Sequence, residues 1–144
     1  MRILRVLGVA VALLGVIGCS SSGPADESTW NEARGKDGVG MLDGKRFTVD
    51  VSEMGKSGSE KENLEFHGGR FHSDACDPYG FATGAYSSTK NGDVITFRAA
   101  TESATEGHID WRGMIRGESI EGAYTWTKKG QKPIEYTYRG QRAP

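Results

Sequence analysis

The chain has 144 residues, with 18 basic and 19 acidic side chains and a formal net charge of −1. That length suits a single domain. The near balance of charge, with no concentrated basic face, excludes the electrostatic footprint of a nucleic-acid binder, and Lys128, Lys129 and Lys132 read as a solvated loop rather than a phosphate site.

Met1 is followed by Arg2 and Arg5 and then by an apolar run from Val6 to Ile17. A charged start and a short apolar stretch are the first two parts of an export signal. The stretch is shorter than the roughly 20 residues that a membrane-spanning helix needs. It ends in Val16-Ile17-Gly18-Cys19. This resembles the lipobox of bacterial lipoproteins, in which an aliphatic residue, a small or aliphatic residue and Gly or Ala precede a cysteine.

The resemblance implies a signal peptide over residues 1–18, cleavage after Gly18, and acyl chains on Cys19 that anchor the protein to a membrane. Two or more chains anchor stably where one binds only marginally. Ser20 rather than Asp follows the cysteine. By analogy with lipoproteins of two-membrane bacteria, that favours the outer membrane, facing the periplasm, if the host has one. Loss of Arg2 and Arg5 leaves 16 basic against 19 acidic residues, so the mature net charge is −3. With Cys19 acylated, Cys76 has no partner for an internal disulfide and is expected to be a buried thiol, with intermolecular pairing the alternative.

Residues 19–43 are polar, small and glycine-rich, as a tether is. Trp30 is its one large aromatic residue and could dock on the domain. From Gly44 to Arg142 the pattern turns to period two, with no convincing helical period. Phe47, Val49 and Val51 give the first strand its inward side, and Leu64, Phe66, Phe71 and Ala75 give the next two theirs.

Turn chemistry registers three hairpins. Gly68-Gly69 pairs Phe66 with Phe71 and Glu65 with His72. Asn91-Gly92 pairs Tyr86 with Phe97 and Ser88 with Ile95. Gly117-Glu118 pairs Ile115 with Ile120, Gly113 with Gly122, Trp111 with Tyr124 and Ile109 with Trp126. A one-residue slip of that last pair would send its apolar set to solvent. Ile134, Tyr136 and Tyr138 continue the same face.

The expected fold is all-β, an antiparallel up-and-down barrel of about eight strands over residues 44–144. Closure removes the two edges an open sheet would expose, and eight strands enclose room for side chains or one small ligand. The arrangement is similar to the calycin barrels in topology, with none of their sequence motifs. A two-sheet sandwich is the alternative.

The inward aromatics Tyr86, Phe97, Trp111, Tyr124, Trp126, Tyr136 and Tyr138 either fill a core or line a ligand pocket. The facing glycines Gly113 and Gly122 would leave space between them. Asp77-Pro78-Tyr79-Gly80 has the make-up of a type I turn. Tyr79 and Phe81 beside it form either a packed corner or a recognition loop. Glu65, His67, His72 and Asp74 share the polar face of the Gly-Gly hairpin, where Arg70 opposes metal binding, so no metal or cofactor is expected. His108 and Asp110 share an outer face without a nearby nucleophile, and no catalysis is expected. Two functions remain open. One is a barrel holding a small apolar or aromatic ligand; the other is a lipoprotein that engages or inhibits an envelope protein through its barrel-end loops.

Overall fold

The computed structural model describes residues 40–144. The expected signal segment, Cys19 and Trp30 lie outside the described residues. Eight strands follow in order: β1 (Arg46–Glu53), β2 (Glu60–His67), β3 (Arg70–Ser73), β4 (Gly84–Asn91), β5 (Val94–Ser103), β6 (Gly107–Arg116), β7 (Ser119–Thr127) and β8 (Ile134–Arg142). Each pairs antiparallel with the next, and β8 returns to β1, setting Val51 against Tyr138. The sheet is a closed up-and-down barrel, not a sandwich.

Period two dictates the inside. Phe47, Val49 and Val51 of β1, Leu64 and Phe66 of β2, and Ile109, Trp111 and Ile115 of β6 are all buried. Phe66 stands at the centre, its ring 6.3 Å from Phe47, 5.3 Å from Phe71, 5.0 Å from Tyr86 and 4.9 Å from Phe97. Edge-to-face and tilted contacts of this kind suit the ring quadrupole.

The β2–β3 and β6–β7 registers are those the turns dictate, including Phe66 with Phe71 and Trp111 with Tyr124. The β4–β5 register differs. Asn91 pairs with Val94, so Gly92 and Asp93 form the turn, and Tyr86 meets Ala99 while Ser88 meets Phe97. The cause is that both registers keep the same residues inside, so burial does not choose between them. The turn chooses: Gly92, at φ 63°, takes its first central position, as Gly117 does in the β6–β7 hairpin.

Gly113 and Gly122 do face each other, but no space lies between them. A Cβ on Gly113 would sit 2.4 Å from both the Phe97 ring and the Tyr138 hydroxyl, and one on Gly122 would sit 2.2 Å from the Arg112 carbonyl oxygen. Tyr138 lies in this gap and donates to the Arg112 carbonyl at 2.8 Å. The glycines are where a large ring crosses the wall closely.

The two ends of the barrel differ. The end carrying the β2–β3, β4–β5 and β6–β7 turns also receives the chain from residue 40. There Leu42 is 0% exposed. Its backbone N–H donates to the Tyr86 hydroxyl at 3.0 Å, which donates to Asp43 Oδ1 at 2.6 Å. Asp43 in turn accepts the Gly69 N–H at 3.0 Å. Residues 40–43, placed in the tether by their composition, are thus the plug of this end. The hydrogen bond from Tyr86, then that from Gly69, hold the Asp43 carboxyl below its usual range. Burial, reinforced by Asp43, pushes the Tyr86 phenol up to about 12.

Candidate functional site

The opposite end is open, and the reason is the length of β3. The Gly-Gly register sets Leu64 against Ser73 as the last inward pair. Continued for two residues, it would set Glu62 against Ala75. The chain instead turns at Asp74 into a short 3-10 helix, Asp74–Tyr79, which Gly80 ends in the left-handed region at φ 73°. Ala75, expected inside, is therefore exposed. β3 and β4 share only two paired positions, Arg70 with Ala85 and Phe71 with Gly84.

A cavity of about 530 Å³ occupies this end. That is within the range of small-molecule sites. Its wall includes Val51, Ile109, Tyr124, Trp126 and Tyr136 from the barrel, with Cys76, Tyr79 and Phe81 from the helix and the residues after it. The seven inward aromatics therefore divide. Tyr86, Phe97, Trp111 and Tyr138 are buried in the filled part of the barrel, and none of them lines this cavity. Tyr124, Trp126 and Tyr136 line it. Tyr124 stacks on Tyr136 with centroids 4.7 Å apart, and its ring lies 4.2 Å from Trp111 on the filled side. Trp126 is fixed by its indole N–H, which donates to the Glu106 carbonyl at 2.6 Å. Lys128 at the start of the β7–β8 loop holds the Glu106 carboxylate at 2.5 Å.

Tyr79 and Phe81 separate as well. Phe81 is buried and belongs to the core. Tyr79 is 57% exposed at the rim, and Met54, on the β1–β2 loop at the same end, is 56% exposed; these are the exposed large hydrophobics among the described residues. The loop is held by Ser103, whose hydroxyl donates to the Tyr79 carbonyl at 2.8 Å.

The residue that sequence reasoning passed over is Glu62. It is 4% exposed and lines the cavity. Ser73 Oγ donates to its Oε1. Burial, above all, pushes the Glu62 carboxyl up to about 7; the Ser73 bond opposes the shift, and Asp74 and Glu60 add to it. The signal was in the sequence: Glu62 lies two residues before Leu64 and four before Phe66, so the strand period points it inward.

The sign of the linkage follows. Glu62 binds its proton more tightly in the folded state than in the unfolded one, so its ionisation costs stability as pH rises from about 4.5 to about 7. The cost approaches on the order of 3 kcal/mol above that window. Glu62→Gln should therefore raise stability relative to wild type at pH 8 and change it little at pH 4. Denaturant titrations of both proteins at the two pH values measure this. A variant less stable than wild type at pH 8 would show that the carboxylate is better compensated than its surroundings indicate.

Cys76 also lines the cavity, half-buried. Burial pushes its thiol up to about 11, so it is neutral near pH 7 and not primed as a nucleophile. Burial also raises the Tyr124 phenol, with Glu62 adding to the rise.

The polar faces do other work. His72 Nε2 lies 2.7 Å from Asp77 Oδ1, and Asp74 accepts the backbone and side-chain N–H groups of Asn63 at 2.8 and 2.7 Å. These contacts tie the 3-10 helix to β2 and β3. Burial raises the Asp74 carboxyl, but the Asn63 bonds outweigh it and leave the group lowered. His108 and Asp110 approach to 3.5 Å on the exposed outer wall.

No family model matches the chain, and neither a curated protein nor a solved structure is found to be similar to it. The fold itself, a closed eight-stranded antiparallel barrel filled at one end and hollow at the other, is what defines its class.

Proposed function

We propose that this is a lipid-anchored cell-envelope protein whose barrel binds a small apolar or aromatic ligand without catalysing its conversion. The observation that carries the reading is the cavity of about 530 Å³, walled by Tyr124, Trp126 and Tyr136 and closed below by packed aromatics. A concave, largely apolar site with a few polar groups is the usual form of a ligand pocket.

The anchor rests on the lipobox-like residues ending in Cys19. Residue 40 enters at the plugged end, and the mouth opens at the other end of the barrel, which suits access from the periplasm. Cys19→Ala should abolish incorporation of labelled fatty acid and leave the protein soluble or as an uncleaved precursor. Labelling and membrane sedimentation equal to wild type would remove the anchor from the account.

N-phenyl-1-naphthylamine, a neutral apolar fluorophore, tests the pocket. One molecule should bind per barrel, and Tyr136→Ala should weaken binding by about tenfold, the scale of an aromatic anchor. Absence of binding, or binding indifferent to Tyr136→Ala, would count against the pocket.

A second reading has an observation of its own. Met54 and Tyr79 are exposed together at the rim of the same mouth. Exposed aromatics at a barrel end could engage an envelope protein, with a partner side chain entering the cavity. A Tyr79→Ala variant that loses a protein partner while keeping the fluorophore would favour it.

A further inference from the structure

The ligand class can be narrowed by the charge of the cavity, an inference that rests on the binding reading above. Glu62 is a buried carboxyl that lines the cavity, with Ser73 Oγ donating to one of its oxygens. Buried carboxylates are normally paired.

The groups around Glu62 offer no unpaired positive charge among the described residues. β2 contributes Glu60, β3 the neutral Ser73, and the 3-10 helix Asp74 and the neutral Cys76. β7 and β8 contribute the neutral phenols Tyr124 and Tyr138. Lys56 and Lys61 also line the cavity, and Lys56 acts on Tyr136, but each lysine already holds a carboxylate, Glu53 and Asp50 respectively, both at 2.9 Å. Three carboxyl groups, Glu53, Glu60 and Glu62, line the cavity against the two lysines, both of them paired, so the balance of charge favours a positive guest. An ionised carboxylate attracts it directly, and aromatic rings attract it through their quadrupoles. Tyr124 lies between Trp111 and Tyr136 in close ring contacts, which leaves Trp126 and Tyr136, both partly buried, as the barrel rings with surface to offer, with Tyr79 exposed at the rim.

We propose that the cavity takes an organic cation, an amine or quaternary ammonium group on a small apolar body, held between the Glu62 carboxylate and the rings of Trp126 and Tyr136. An anionic guest such as a fatty acid would set its carboxylate against Glu62 and require a shared proton. A neutral guest would leave the charge of Glu62 unanswered.

The test uses phenyltrimethylammonium and tert-butylbenzene, which share a shape and differ in charge, in NMR titrations of the full mature chain carrying Cys19→Ala. At pH 8 the cation should bind at least about tenfold more tightly than its neutral counterpart. The advantage should vanish at pH 5.5, where Glu62 is protonated, and also in Glu62→Gln at pH 8. If that variant does not fold, the pH series on the unsubstituted site decides the matter alone. Equal binding of the two probes, or a cation preference that survives both pH 5.5 and Glu62→Gln, overturns the inference and leaves the apolar pocket standing. Failure of both probes to bind overturns the pocket with it.

Discussion

Trp111→Ala is expected to destabilise the barrel by about 3–5 kcal/mol, the range for loss of a large buried aromatic. Trp111 is 2% exposed and lies 4.8 Å from the Phe71 ring and 4.2 Å from the Tyr124 ring. Its indole N–H donates to Thr101 Oγ1 at 3.1 Å. Truncation would open a void at the boundary between the filled and hollow parts and leave a buried hydroxyl without its donor. The neighbouring side chain is the control. Arg112 points to the outer wall, and its carbonyl, which serves Tyr138, survives substitution. Arg112→Ala should change stability by about 0.5 kcal/mol or less. Denaturant unfolding of the full chain with each substitution compares the two. Equal losses would mean that the inward and outward faces of β6 are wrongly assigned.

Leu42→Ala should cost about 2–5 kcal/mol. A leucine in a solvated tether would cost close to nothing. Leu42 instead is fully buried, and its backbone is tied to Tyr86 and, through Asp43, to the β2–β3 turn. The same unfolding experiment measures the loss. A midpoint matching wild type would show that residues 40–43 do not plug the barrel. A large loss would place the start of the folded unit before Gly44.

How much of this was legible in the sequence depended on what distinguishes the alternatives physically. The β6–β7 pair was readable because Gly117 fixes the turn and a one-residue slip would expose Trp111, Tyr124 and Trp126 together. The β4–β5 pair was misread by two residues because that shift keeps Tyr86 and Phe97 inside, and alternation carries no information about it. Leu42 was missed because one leucine in a glycine-rich stretch has no period to betray it. Glu62 had a period and could have been read. What it lacked was an obvious reason to face inward, since the gap beside it exists only because β3 stops at Ser73.

The hollow mouth follows from that same stop. Ala75 continues the alternation of Phe71 and Ser73, so sequence alone extends the strand through it. The structure turns into the 3-10 helix there, with Asp74 bonded to Asn63 and His72 beside Asp77. Those contacts join residues close in the chain but depend on the hairpin having formed. The division of the aromatics into four that fill and three that line the cavity could not be read earlier, because identical rings serve either purpose.

Native mass spectrometry of the protein purified from its host tests the central claim most directly. The account predicts a small molecule retained at one per barrel in the wild-type protein and lost in Tyr136→Ala, whose ring lines the cavity. A barrel that emerges empty, or that carries only a protein partner, would contradict it.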